Sequence, residues 1–355
     1  MPSLARKALS LLVMLCLALT ALAPRAGADA FDRARLAPLA SSERLRLFTL
    51  ARAQDTRRAP PAYTNALRRA LRDTGFYNEG GAELMDRSLR FSPILTWDDN
   101  INGGYFHDRL VIGGLIFDAD PASRARAGLM LGGRLDATAR LSWAEGRIID
   151  LRATAELAWS PVHDIGRGAA GVEACARNHV SGWTFIDVCA SASASRRALT
   201  EGSSTGISAA LVHLFSTAEA AHQISLELDR RALDAGQQTG ATLGWSAVWN
   251  GAVTELTLGT ATPIAGATAT RGRIGARVGF LWRDRPVSVS AWHVQASGGM
   301  LLGMPREDHV TGLGLSIEAR RGMSIEVTHQ VTTSTIALFE DNRTGLSVRF
   351  RLGQR

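Results

Sequence analysis

From about residue 89 to the C terminus the chain alternates apolar and polar residues with a period of two, over more segments than a soluble sandwich of ordinary size uses. In RIGARVGFLW, Ile274, Ala276, Val278, Phe280 and Trp282 alternate with Arg273, Gly275, Arg277 and Gly279, so an extended segment there has one apolar and one polar face. The same alternation sets Leu151, Ala153, Ala155, Leu157 and Trp159 against Arg152, Thr154 and Glu156, and Ile224, Leu226 and Leu228 against Ser225, Glu227 and Asp229. Met323, Ile325 and Val327 oppose Ser324, Glu326 and Thr328, while Leu346, Val348, Phe350 and Leu352 oppose Ser347, Arg349 and Arg351.

Segments of this kind fall near residues 89, 111, 126, 147, 184, 204, 223, 239, 253, 272, 286, 310, 323 and 344, and the stretch 160–183 has room for another short strand. Short Gly-containing turns such as Glu145-Gly146, Asn250-Gly251 and Arg321-Gly322 join them, as hairpins require. An all-β, up-and-down antiparallel sheet of about 14 strands is the expectation, and that number lies within the range of bacterial outer-membrane barrels. Charges recur on the polar face of successive strands. A closed barrel in lipid accommodates this by satisfying every backbone group between strands and turning the apolar face outward. The expected lumen charges are Arg152, Glu156, Glu227, Asp229, Arg231, Arg273, Arg277, Glu318, Glu326, Arg349 and Arg351, and Trp97, Trp143, Trp159, Trp249 and Trp282 sit where interfacial girdles belong.

The N terminus sets the compartment. Arg6 and Lys7 precede an apolar stretch from Ala8 to Ala23, and Ala26-Gly27-Ala28 and Ala28-Asp29-Ala30 both fit a small-residue cleavage pattern, so residues 1–30 read as a secretory signal. No later apolar run approaches the length of a membrane helix. In an oxidising compartment the remaining cysteines, Cys175 and Cys189, lie symmetrically about Gly182, and a hairpin turning there places them opposite each other, which suits a disulfide pair, with two reduced thiols as the alternative. The formal charge of +7 comes almost wholly from arginines scattered singly among Glu and Asp. Without a basic helix or an aromatic platform, nucleic acid is not an expected partner.

Residues 31–88 differ from the rest, being rich in Ala, Leu and Arg, and read as a short helical periplasmic segment before a barrel over 89–355. Ser41-Ser42-Glu43 suits a helix start running to about Gln54, Pro60-Pro61 breaks the chain, Tyr63, Leu67 and Leu71 resume helical spacing, and Gly75 stops it. Two short helices cannot bury a core of their own, so the segment is expected to lean on the barrel or on a partner.

Asp98, Asn100, Asn102 and Gly103 in SPILTWDDNINGG have the spacing that opens a calcium-binding loop, but the twelfth position, where a bidentate Glu is needed, is Arg109. Side chains of this kind also cap their own turns. No metal, cofactor or catalytic triad is expected, because the eight histidines lack a convincing Ser and acid arrangement. At the C terminus, Arg343, Gly345, Val348 and Phe350 resemble the pattern by which barrel assembly machinery recognises outer-membrane barrels, although five residues follow Phe350.

The motif Asp99, Asn100, Ile101 and Asn102 closes the first strand and is followed by GGYFHDRLVIGGLIF and then Ala-Gly-Leu at 127–129. With a helical lead and strands to the C terminus, residues 80–355 resemble the surface lipoprotein assembly modifier family. That resemblance implies a periplasmic tetratricopeptide-like domain joined to a porin-like barrel, and a lipoprotein as client. Only one helical hairpin precedes the strands here, where the family carries a longer array. Two functions stand open: an outer-membrane barrel that assists translocation or display of a lipoprotein or other polypeptide, and a passive porin-like channel for small, anionic solutes. Outer-membrane lipids and the barrel assembly machinery are expected partners of either.

Overall fold

The structure, a computed structural model, describes residues 30–54, 60–112, 115–118, 120–320 and 322–350. The expected signal segment, residue 321 and Arg351 therefore lie outside the described residues, apart from Ala30 at the signal's end. Three helices come first: α1 (Ala30–Leu36), α2 (Glu43–Gln54) and α3 (Pro61–Asp73). The strands follow as β1 (Glu83–Asp98), β2 (Arg109–Ile112), β3 (Leu115–Asp118), β4 (Gly128–Ala144), β5 (Arg147–Ser160), β6 (Ile165–Ser181), β7 (Thr184–Arg196) and β8 (Glu201–Ser216). The second half holds β9 (Ala221–Leu233), β10 (Gly236–Val248), β11 (Val253–Ala261), β12 (Ala269–Trp282), β13 (Arg285–Leu301), β14 (Met304–Arg320), β15 (Met323–Ser334) and β16 (Asp341–Phe350).

Fourteen of these strands, β1 and β4 to β16, close into one antiparallel barrel in which each strand pairs with its sequence neighbours, β4 follows β1, and β16 returns to β1. The closing seam pairs Ile94, Leu95, Thr96 and Trp97 with Arg349, Val348, Ser347 and Leu346. The expected fold class is the observed one, but two strands exchange places. The segment near 111 is not a barrel strand; it forms the separate β2–β3 hairpin inside the long 99–127 connection. The stretch 160–183 contributes β6, a full barrel strand of 17 residues. Its sequence, IGRGAAGVEACARNHVS, is rich in Ala and Gly, so its two faces differ little in hydropathy although it pairs with β5 along its length and with β7 from Gly168 to Ser181. The barrel also begins at Glu83 rather than 89, because pairing of Glu83–Ser88 with β4 overrides a local composition that reads as helix.

The outer face is apolar. Leu89, Phe91, Leu135, Leu151, Leu157, Val172, Ile207, Leu211, Leu226, Leu228, Leu313 and Leu315 are all exposed there, an arrangement that only lipid stabilises over so wide an area. Trp97 and Trp159 mark one rim, and Trp143 and Trp282 the other. The chain is an outer-membrane β-barrel. Its helices and the turns at 145–146, 182–183, 217–220, 249–252 and 283–284 share one end, and the longest connection, 99–127, lies at the other, so the helix end is periplasmic and the loop end extracellular. Cys175 and Cys189 pair in the β6–β7 register and are bonded as a disulfide on the inner face.

Candidate functional site: a stoppered lumen

The helical segment enters the barrel. Ser42 caps α2 by accepting the Leu45 N–H at 3.2 Å, and the apolar side of the segment, Leu36, Ala40, Leu45 and Phe48, packs on the inward Phe185, Val212, Leu214, Val248 and Val253. Phe48 also meets Trp183 edge to face. Gly75 ends α3 at φ +79°, where a Cβ would press on the side chains of Ser142 and Ile148, and so turns the chain toward β1.

Polar contacts run from one wall to the opposite one. Glu43 accepts from Arg140 on β4 at 2.9 Å and pairs with Arg177 on β6 at 3.6 Å, and both arginines also hold Asp150 on β5. Arg44 grips Asp187 on β7 through two bonds of 2.8 and 2.6 Å. On the far side, Ser41 donates through its backbone N–H and its hydroxyl to Glu255 on β11, both at 2.8 Å. Arg277 on β12 pairs with that Glu255 and donates to the Leu39 carbonyl. Ser42 and Gln223 on β9 are also hydrogen-bonded. In the barrel order β4 and β11 are seven strands apart around a circle of fourteen, so Ser41 to Glu43 spans the lumen along a diameter. The wall offers two arginines to one aspartate at Arg140, Arg177 and Asp150, and Glu43 supplies the second carboxylate. The interface leaves a cavity of about 20 Å³ lined by Glu43, Arg44, Phe76, Arg177 and Phe185, enough for about one water.

The loop end is narrowed by the 99–127 connection. Ile101 is fully buried against Met130 and Ala158, beside Ile94 and Ile165. Asp98 accepts the Asn100 N–H at 2.9 Å, Asn100 exchanges hydrogen bonds with Gly104, and Asn102 donates to the Arg124 carbonyl and accepts from Arg126 N–H. The Asn102 carbonyl takes the Leu199 N–H from the β7–β8 turn, and Arg197 in that turn donates to the Asn100 carbonyl. Asp99 accepts from the Trp97 indole and from Thr344 N–H on β16. The three motif residues Asp99, Asn100 and Asn102 thus stitch the connection across the mouth, and their oxygens are engaged by backbone and indole N–H groups. Burial, opposed by Asp98 and reinforced by Arg167 and Arg343, pulls the Arg197 pKa below its ordinary value.

Between these two closures lies the charged wall. Arg152 stands opposite Glu173, Glu156 opposite Arg134, Glu227 opposite Thr242, Asp229 and Arg231 opposite Gly240 and Gln238, Arg273 opposite Gly259, and Glu318 and Glu326 opposite Ser324 and Ser347. All share the face that Phe185, Val212 and Val253 present to the helices. Arg349 pairs through its backbone with Ser324. Ion pairs neutralise many: Arg231 with Asp229 at 2.8 Å, Arg134 with Asp136 at 3.0 Å, and Arg167 with Asp98 and Glu156 at 2.6 and 3.4 Å. Arg90, Arg134, Asp136 and Glu173 belong to this wall as well. Alternation in GGRLDATAR and VEACAR carries the signal for the last three. Gly345 is inward beside Thr328, whereas Val348 and Phe350 take the outward parity of Leu346.

His213, His293 and His329 bond Thr184, Thr311 and Thr344 across strands on the outer face.

No protein-family model matches the chain, and no curated protein matches it. Solved structures similar to it include OprD of Pseudomonas aeruginosa, at 10% identity over 79% of this chain and 98% of that one with a TM-score of 0.40. OccK2 of the same organism, solved with glucuronate, gives 8% over 78% and 100% with a TM-score of 0.41. OccAB4 of Acinetobacter baumannii gives 6% over 77% and 99% with a TM-score of 0.41.

Proposed function

We propose that the chain is a porin-like channel of the outer membrane for small polar solutes, stoppered at its periplasmic mouth by its own N-terminal helices. The observation that supports this most is the charge match between stopper and wall: adjacent residues Glu43 and Arg44 meet an arginine-rich triad and a lone aspartate on different strands. Apolar packing alone would suffice to hold a permanent filler, since buried ion pairs contribute little net stability against well-packed hydrophobic side chains. Charges that leave together and are rehydrated together make a stopper releasable. A barrel of this size has a polar lumen wide enough for solutes. Its arginines are largely matched by carboxylates, so anion preference is weak. The channel performs no catalytic step.

Planar-bilayer recording tests the reading. The unmodified protein gives small or infrequent conductance steps. Arg44→Asp, which sets like charges together at Asp187, gives large frequent steps, and adding Asp187→Arg restores the quiet state. A disulfide between Ser41→Cys and Glu255→Cys silences the channel until reductant is added. Folded, heat-modifiable Arg44→Asp protein without conductance would sink the proposal.

The display reading rests on the resemblance at Asp99, Asn100 and Asn102, residues that here serve to hold a loop. Deleting the gene separates the two: loss of surface lipoproteins with no change in solute uptake favours display.

A further inference from the structure

Away from both closures, the inner wall carries glycines on β10, β11, β12, β14 and β16 (Gly244, Gly259, Gly275, Gly312 and Gly345), and among the described residues Trp292 is the aromatic side chain of β10 to β16 that shares their face. Trp292 on β13 stands between Gly275 on β12 and Gly312 on β14. A Cβ at Gly312 would run into indole atoms Cζ2 and Cε2, and one at Gly314 would sit 3.5 Å from Cζ3. The indole therefore lies flat along the β14 backbone instead of projecting across the barrel, which a side chain at Gly312 would prevent. One face covers the strand and the other is turned to the lumen.

That second face is unclaimed. Among the described residues no ring or guanidinium stacks on Trp292, its Nε1–H has no hydrogen-bond partner, and Nε1 is not a buried unsatisfied atom. By contrast Trp97, Trp159 and Trp249 commit their indole N–H groups to Asp99, Asp164 and Thr254. Hydrogen-bonding side chains flank the platform on the same wall: Ser290 opposite Gly314, and Gln330 and Thr328 on β15 opposite Gly312 and Gly314.

An aromatic laid over a glycine also stabilises a sheet without any ligand. That role requires neither an open face nor a free N–H.

We infer that Trp292, with Gln330 and Thr328 beside it, is a lumenal stacking subsite for a pyranose ring. A sugar presents a flat face of C–H groups to the electron-rich indole face, and its hydroxyls satisfy the indole N–H and the Gln330 amide, matching a site of one apolar surface with a few convergent polar groups. The subsite rests on the channel reading, because a solute must reach the lumen.

The test uses the full chain in detergent micelles with 15N-labelled indoles, titrated with maltotriose, cellotriose and, as an aromatic probe, benzoate. The Trp292 indole resonance, assigned by its loss in Trp292→Phe, shifts saturably at millimolar trisaccharide. Calorimetry then gives binding weakened a few-fold in Trp292→Phe, which keeps an aromatic face, and about tenfold in Trp292→Ala, the scale of one lost aromatic contact. Both variants are checked for heat-modifiable folding. No shift with either sugar, unchanged affinity in folded Trp292→Ala, or a response to benzoate alone overturns the inference. Sugar binding without bilayer conductance removes the channel reading only, and conductance without sugar binding removes only the subsite.

Discussion

At the scale of the residue, hydrogen bonds at the barrel rims decide local order. Asn102 is 2% exposed and ties Arg124 and Arg126 to the mouth. Asn102→Ala leaves a carbonyl and an N–H without their partner, at about 1–3 kcal/mol, and is expected to speed amide exchange across 100–127 while the barrel strands stay protected. Asp234, in the β9–β10 turn, accepts from Ser203 N–H and Oγ, and those bonds hold its carboxyl below the ordinary value. A depressed carboxylate pKa stabilises the fold above the unfolded value near about 4, and that contribution fades as the pH falls through the folded value. Ser203→Ala is expected to move the Asp234 titration upward in a 13C-detected pH series. An unchanged midpoint would show that the Ser203 hydroxyl has no part in it.

At the scale of the element, α2 is the part whose behaviour the geometry makes most specific. Arg44 and Asp187 are 12% and 18% exposed, so truncating either strands a charge, at about 2–5 kcal/mol of docking. Phe48→Ala removes a fully buried ring from the same interface, at about 3–5 kcal/mol. Both are expected to make residues 43–54 sensitive to protease in an otherwise resistant barrel. Equal resistance of Phe48→Ala and the parent protein would mean that the helices do not hold by this contact.

At the scale of the whole molecule, closure of the sheet is the dominant stabiliser, because each of the fourteen barrel strands pairs with a neighbour on both sides and lipid covers the apolar face. The disulfide adds to it only locally. Cys175 and Cys189 are 14 residues apart, and cross-linking a loop of that length contributes at most about 3 kcal/mol through the unfolded chain. Cys175→Ser with Cys189→Ser is therefore expected to lower the urea midpoint in micelles while leaving heat modifiability intact. A variant that no longer folds would place the bond on the assembly route.

Much of this is legible in the sequence alone. A two-residue period fixes which side chains share a face, so the inward set from Arg152 to Glu326 and the cysteine pairing follow from parity once the strands are recognised. The sequence of 160–183 reads only as room for a short strand because Ala and Gly blur the contrast between faces of β6, and Leu110-Val111 reads as a barrel strand because a loop hairpin alternates in the same way. What only the tertiary structure decided are contacts across the lumen: Glu43 with Arg140 and Arg177, Ser41 with Glu255, and Trp292 laid on Gly312. A periodic pattern specifies direction relative to the sheet but not what lies across it, because partners on opposite walls are set by the number of strands and their stagger around the closed ring, which no local stretch of sequence encodes.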